Sequence, residues 1–173
     1  EFAAIINELG KQEILLTLGE ASSPVTESAV HTVLGLCLSK GDRFDWAVQK
    51  ATELGVGAIA PLVSGRVDFS IPKNRLAKRV NHWQQVAISA TEQCGRVRVP
   101  PVTSPLPLVN WVKTAAAAER WVLHCTNVGD ATAPSTADSV PSDAALLIGP
   151  EGGLTNEEVA IAIEHGFLSL IHI

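Results

Sequence analysis

Apolar and polar positions change period several times along this chain, and each change marks a new element. From Phe2 to Glu20 they alternate in two runs separated by the polar turn "ELGKQ" (Glu8 to Gln12), which predicts a two-stranded hairpin. "EASSPVTES", Glu20 to Ser28, breaks the pattern with small polar residues and a proline, and is the best candidate for a domain boundary. "AVHTVLGLCL", Ala29 to Leu38, is then almost continuously apolar, as expected of a strand buried on both faces. Phe44, Val48, Ala51 and Leu54 recur at helical spacing, and Gly55 is placed to cap that helix. "GAIAPLV", Gly57 to Val63, is a second buried strand.

The longest helical pattern runs from Arg75 to Cys94. Leu76, Val80, Trp83, Ala87, Ala90 and Cys94 follow one another in steps of four and three, giving one apolar stripe, and Arg75, Lys78, Arg79 and His82 fall largely off it. "PPVTSPLPL", Pro100 to Leu108, reads as a stiff connector, because proline fixes φ and removes amide donors. "VNWVKTAAAAER", Val109 to Arg120, predicts a helix, and "WVLHC", Trp121 to Cys125, a third strand. Thr126 to Asp143 is a loop of small residues without core-forming capacity, followed by a fourth strand, "AALLIG", Ala144 to Gly149. The helix of Thr155 to Gly166 opens with Thr155 and Glu158 spaced as a capping box. Apolar strands alternating with amphipathic helices predict an α/β fold with a parallel sheet.

Composition narrows the class. The 173 residues are 46% hydrophobic, enough for one domain or one domain and part of another. No apolar run reaches the ~18–20 residues of a membrane helix, and no leader-like segment is present, so a cytoplasmic protein without membrane association is expected. Cys37, Cys94 and Cys125 are odd in number and form no CxxC pair; reduced core thiols, with no structural metal and no disulfide framework, are expected. The net charge of −5 argues against a uniformly basic nucleic-acid binder, but its distribution is uneven. Between Arg66 and Arg98 seven cations face two carboxylates, leaving six cations and sixteen carboxylates elsewhere. Such segregation makes a local positive surface able to engage phosphates, although a solvated helix face would carry the same pattern.

Two stretches carry chemistry. In "IGPEGGLTNEE" a buried strand runs into a turn with three glycines, and in open α/β sheets ligands sit beyond such strand ends. Gly149, Gly152 and Gly153 permit close backbone approach and Pro150 stiffens the bend. GxGxxG and GxxxxGK[ST] are both absent and Glu151 disfavours phosphate, so a less anionic ligand with an adenosyl or amino-acid part fits better. A plain strand-to-helix turn is the alternative. In "ATEQCGRVRVP", Glu92, Gln93 and Arg96 cluster at a helix end, where they would either read a base edge or phosphate or cap the helix with a local ion pair. Arg66 follows a strand end and His124 follows the apolar "WVL"; each adjoins a candidate pocket, and His124 also reads as a core histidine. No GxSxG elbow is present.

"KGDRFDWAVQKATELGV", "RLAKRVNHWQQVAISATEQCGRVRVP" and "LLIGPEGGLTNEEV", in this order, resemble the ribosomal RNA small subunit methyltransferase E family of the SPOUT superfamily, over nearly all of Phe2 to Phe167. The resemblance implies a parallel sheet with a C-terminal trefoil knot and S-adenosylmethionine-dependent methylation of uridine N3 in 16S rRNA by a cytoplasmic homodimer. It implies that residues 1–26 are the remnant of a PUA-like RNA-binding β domain and that 27–167 are the methyltransferase domain. Ile148, Gly149, Pro150, Glu151, Gly152 and Gly153 match the cofactor loop, with the strand of His124 beside it. Arg66, Gln93 and Arg96 match RNA-facing positions, and Lys73, Arg75, Lys78, Arg79 and Arg98 extend that surface. Arg96 is the candidate cation for the uridine anion that develops when the N3 proton leaves, and Glu92 and Glu151 are candidate bases. After Gly166 and Phe167 the family continues with a strand and an arginine-bearing loop that are not found here, and 168–173 read as a non-native tail. The chain alone is therefore expected to leave the knot unclosed, to bind cofactor poorly and to be inactive. Competing readings are a non-catalytic RNA-binding module on the Arg66–Arg98 surface, and an enzyme holding a nucleotide cofactor at the glycine turn.

Overall fold

A computed structural model describes residues 2–22, 26–67, 71–124 and 141–170. Strands β1 (Phe2–Leu9) and β2 (Ile14–Ala21) form the expected antiparallel hairpin, closed by a hydrogen bond from the Gly10 amide to the Glu13 carbonyl. Both faces of this hairpin are exposed. The remaining strands build one parallel sheet: β3 (His31–Cys37), β4 (Ala58–Val63), β5 (Leu106–Pro107), β6 (Glu119–Leu123), β7 (Asp143–Ile148) and β8 (Leu168–Leu170), in the order β5-β4-β3-β7-β6-β8.

Helices cover both faces. α1 (Arg43–Glu53) and α2 (Lys73–Cys94) pack Phe44, Val48, Trp83 and Ala87 against Leu34, Leu36 and Ile59. On the other face α3 (Leu108–Thr114) and α4 (Asn156–Glu164) set Leu108, Trp111, Val112, Val159 and Ala162 against Leu62, Val122, Ala145 and Leu147. Two apolar faces per strand explain the near-continuous apolar runs. The fit leaves no room at Gly35, where a Cβ would lie 2.6 Å from the Trp111 ring. Gly55 closes α1 with φ +93°, and the Thr155–Glu158 capping box opens α4.

Several expectations are corrected. Leu54 is 85% exposed, and Thr52 takes the buried place on α1 by returning its hydroxyl to the Val48 carbonyl. Thr91 does the same on α2, bonding to Ala87, while Cys94 is exposed; of the three thiols only Cys37 is seen in the core, and Cys125 lies outside the described residues, as does 126–140 of the loop. The helix expected to Arg120 ends at Thr114, because Ala115 is extended and Glu119 and Arg120 already pair with β7. Alanine propensity loses here to strand pairing. The proline connector contributes β5 and a bridge between Val102 and Ile59. Pro61 interrupts that pairing: Ile59 bonds outward to Pro101 and Thr103, so Pro61, two residues on, turns its missing donor to the same side. The strand expected to follow Phe167 but not found in the sequence is present as three residues, β8, alongside β6. Among the described residues, no helix is long and apolar enough to cross a membrane.

Gly35→Ala should lower stability by about 1–3 kcal/mol, the usual range for overpacking a filled core. Urea unfolding checks this; an unchanged midpoint would mean that Trp111 does not pack on β3 as described.

Candidate functional site

The parallel register brings strand ends level. Cys37 pairs with Leu62, and Ile148 pairs with both Leu36 and Leu123, so the chain leaves β3, β4, β6 and β7 along one carboxyl edge. Beyond β3 it turns to α1 on one face; beyond β7 it turns to α4 on the other. Neighbouring strands whose connections part in this way leave a crevice between them, the usual ligand site of an open α/β sheet.

The two walls meet there through charge. Arg43, the first residue of α1, donates from Nη1 to Glu151 Oε1 at 2.9 Å, and Arg66 donates from Nη1 to the Gly152 carbonyl at 2.7 Å. A hydrogen bond from its own backbone, and then Arg43, hold the Glu151 carboxyl below its ordinary range. Leu38, Lys40, Arg43, Arg66, Glu151 and Gly152 line a cleft of about 440 Å³. Lys40 also borders a second cavity of about 700 Å³, walled by Ser39, Ile71, Pro72 and the α2 residues Arg75, Lys78, Arg79 and His82. Arg79 lies over the Trp83 ring at 5.5 Å, and His82 contacts Asp45 at 2.6 Å.

The glycine turn is compact. The Gly153 amide donates to the Pro150 carbonyl at 2.8 Å, and Gly153 has φ +71°. A Cβ at Gly149 would lie 3.0 Å from Leu154 Cγ and 3.2 Å from the Gly153 carbonyl carbon, so a side chain there would push the turn apart. The Ser64 hydroxyl is buried at the end of β4, beside the Cys37 thiol. His124 sits at the end of β6, its Nε2 2.8 Å from the Ser169 hydroxyl. These features fit S-adenosylmethionine: main-chain groups for its uncharged parts, and an ionised carboxylate suited to ammonium or sulfonium charge.

The family model described as RNA methyltransferase domain matches residues 26–170. The chain belongs to this family. It is 32% identical to ribosomal RNA small subunit methyltransferase E of Synechocystis over 95% of its own length and 53% of that protein's. Its structure resembles a Legionella pneumophila protein described as a methyltransferase with bound SAM (33% identity, TM-score 0.89, 99% of this chain and 70% of that one). It also resembles a ribosomal RNA small subunit methyltransferase E from Neisseria gonorrhoeae bound to S-adenosyl methionine (32%, 0.83, 96% and 68%). The chain spans about half the length of the Synechocystis relative.

Within this RNA methyltransferase domain the structure divides the sequence-derived site residues between two ends. Ile148 to Gly153, His124, Arg66, Lys73, Arg75, Lys78 and Arg79 lie toward the carboxyl edge. Glu92, Gln93, Arg96 and Arg98 lie at the other end of α2, about 30 Å away along a helix of 22 residues. There Arg96 is bonded to protein groups. Its Nε and Nη2 donate to Glu27 at 3.0 and 2.6 Å, and Nη1 donates to the Thr52 and Val56 carbonyls, both at 2.9 Å. The amides of Val97 and Arg98 complete the Glu27 cluster. Gly95, with φ +74°, caps the helix end, but the carboxylate paired with Arg96 is Glu27 and not the local Glu92 of the alternative reading; within one chain neither Arg96 nor Glu92 reaches the glycine turn.

Lys40 and Arg43 were missed by sequence reasoning. One signal was present: cations at a helix start oppose its dipole, so Arg43 at the head of α1 calls for a compensating anion, and Glu151 is that anion.

Hydrogen bonding to Arg96 depresses the Glu27 pKa, so this contribution to stability is present above the ordinary carboxylate value of 4.5 and is lost as pH falls through the lower folded value. In urea titrations across pH, Glu27→Gln should be less stable at pH 7 by on the order of 2 kcal/mol, between the limits for surface and buried pairs, and should lose less stability on acidification. Parallel pH profiles would contradict the pair's role.

Proposed function

We propose that this chain carries the catalytic domain of an S-adenosylmethionine-dependent methyltransferase acting on uridine N3 in 16S rRNA of the small ribosomal subunit. The observation that carries the reading is the crevice where a glycine turn and an ionised Glu151 face a row of cations at one sheet edge. The names of its relatives support the substrate class.

When bound, the cofactor supplies an electrophilic methyl on a sulfonium. Ile148 to Gly153 would hold it through main-chain groups, with Glu151 facing its positive charge and His124 and Ser169 closing the β6 side. Lys40, Arg75, Lys78 and Arg79 would take successive RNA phosphates and orient the strand across the edge. Uridine N3 attacks only as its proton passes to solvent water in the open cleft, and Arg43 and Arg66 are placed to favour the developing anion. Alignment of N3 with the methyl is the larger part of such catalysis. The exposed apolar hairpin β1–β2 is assigned to an RNA-binding β domain, and a protein of the relatives' full length to a cytoplasmic homodimer with a C-terminal knot.

Lys78→Ala should weaken binding of a small-subunit RNA fragment and reduce the slope of log K against log salt by about 1, whereas Arg98→Ala at the far end should change neither. Fluorescence anisotropy at several salt concentrations measures both. Methyl transfer is tested with radiolabelled donor and a protein spanning the full length of the relatives. RNA binding without transfer would make this a non-catalytic RNA-binding module.

A further inference from the structure

Glu158 does more than cap a helix. In a capping box the glutamate reaches back to its own N-cap amide, which occupies one carboxylate oxygen. Here Oε2 accepts from the Thr155 amide at 2.9 Å, while Oε1 accepts from the Gly65 amide at 2.7 Å, 93 positions away in the chain. The residue is buried, at 7% exposure. Gly65 belongs to the loop leaving β4, in which the Val67 amide closes onto the Ser64 carbonyl. The next residue is Arg66, whose guanidinium holds the Gly152 carbonyl. The contacts form a closed circuit: glycine turn, Thr155, Glu158, Gly65, Arg66, and back to the glycine turn.

The circuit spans a gap. β3 separates β4 from β7 in the sheet, so their exit loops start about 10 Å apart, two strand spacings. Backbone pairing cannot join them; Glu158 and Arg66 do, across the end of β3. Burial, with the Glu158 carboxylate nearby, raises the Cys37 thiol at that strand end to about 12, as expected beneath a closed roof.

We propose that Glu158 is the positioning residue of the glycine turn, fixing through Gly65 the place from which Arg66 grips Gly152. Its consequence for donor binding rests on the reading of that turn as the donor site. The circuit itself does not, so the two can fail separately.

Amide exchange followed by NMR on the chain without ligand tests the circuit. Glu158→Ala should speed exchange at Gly65 by about tenfold or more, the loss expected for a charge-assisted hydrogen bond, and should also speed exchange at Gly153, whose amide closes the glycine turn onto Pro150. Thr155→Ala removes the other half of the capping box and should loosen the start of α4 while leaving Gly65 protected. Arg66→Ala, at an exposed position, tests the second link should Glu158→Ala not fold: with the Gly152 carbonyl released, it should speed exchange at Gly153 and spare Gly65. Unchanged Gly65 exchange in Glu158→Ala, equal effects of Glu158→Ala and Thr155→Ala on Gly65, or unchanged Gly153 exchange in Arg66→Ala would each overturn the proposal. Calorimetry with S-adenosylmethionine adds a readout that a purely structural role would not move. At matched melting temperature, donor affinity should fall about tenfold in Glu158→Ala and hold in Thr155→Ala; equal losses would return Glu158 to a structural role. A loosened turn with undiminished donor binding would instead overturn the donor site and leave the circuit standing.

Discussion

The parallel register of β3 with β4 and β7 is the constraint on which the site depends. Backbone hydrogen bonds place Cys37 beside Leu62 and Leu36 beside Ile148, and so level the strand ends. Because β3 and β7 then send their connections to opposite faces, their loops part and leave a crevice. A slip of one residue in β7 would turn Ala145 and Leu147 toward the other helix layer and carry the glycine turn away from Arg43. Core packing and site geometry are thus specified by the same ladder.

Electrostatics makes the two ends of the sheet different. At the carboxyl edge, cations outnumber carboxylates, and the starts of α1 and α2 add their own positive partial charge. This concentration is locally unfavourable unless an anion is present, which is the state expected of a surface that awaits one. Glu151 meets part of the demand through Arg43. At the opposite end, Arg96 has its donors paired with Glu27 and two carbonyls, and its side chain is only 6% exposed. A guanidinium so bonded ties the end of α2 to Glu27 and to the end of α1.

Much of the fold was legible because burial on two faces leaves continuous apolar strands, and because Gly55 and the Thr155–Glu158 pair obey local rules. Val109 to Arg120 was misread because alanine's helix preference is weak beside the pairing of Glu119 and Arg120 with β7. The glycine turn could be placed from its residue types alone. The role of Arg96 could not, since charge patterning does not reveal which end of the sheet a helix terminus reaches. Nor could Lys40, Arg43 or the second bond of Glu158 be found, because each acts on a residue distant in sequence and near only after the sheet forms. The SPOUT-type resemblance fixed the class of the fold, while the division of cations between two edges is visible only in three dimensions.

The central claim is that ligand chemistry belongs to the carboxyl edge alone. Its most direct test is a backbone-amide NMR titration of the chain with millimolar S-adenosylmethionine, which registers weak binding and maps it. Shifts at 38–43, 64–67 and 148–155, with none at 27–31, 55–57 or 96–101, are the expected result. Shifts concentrated around Glu27 and Arg96 would contradict the account.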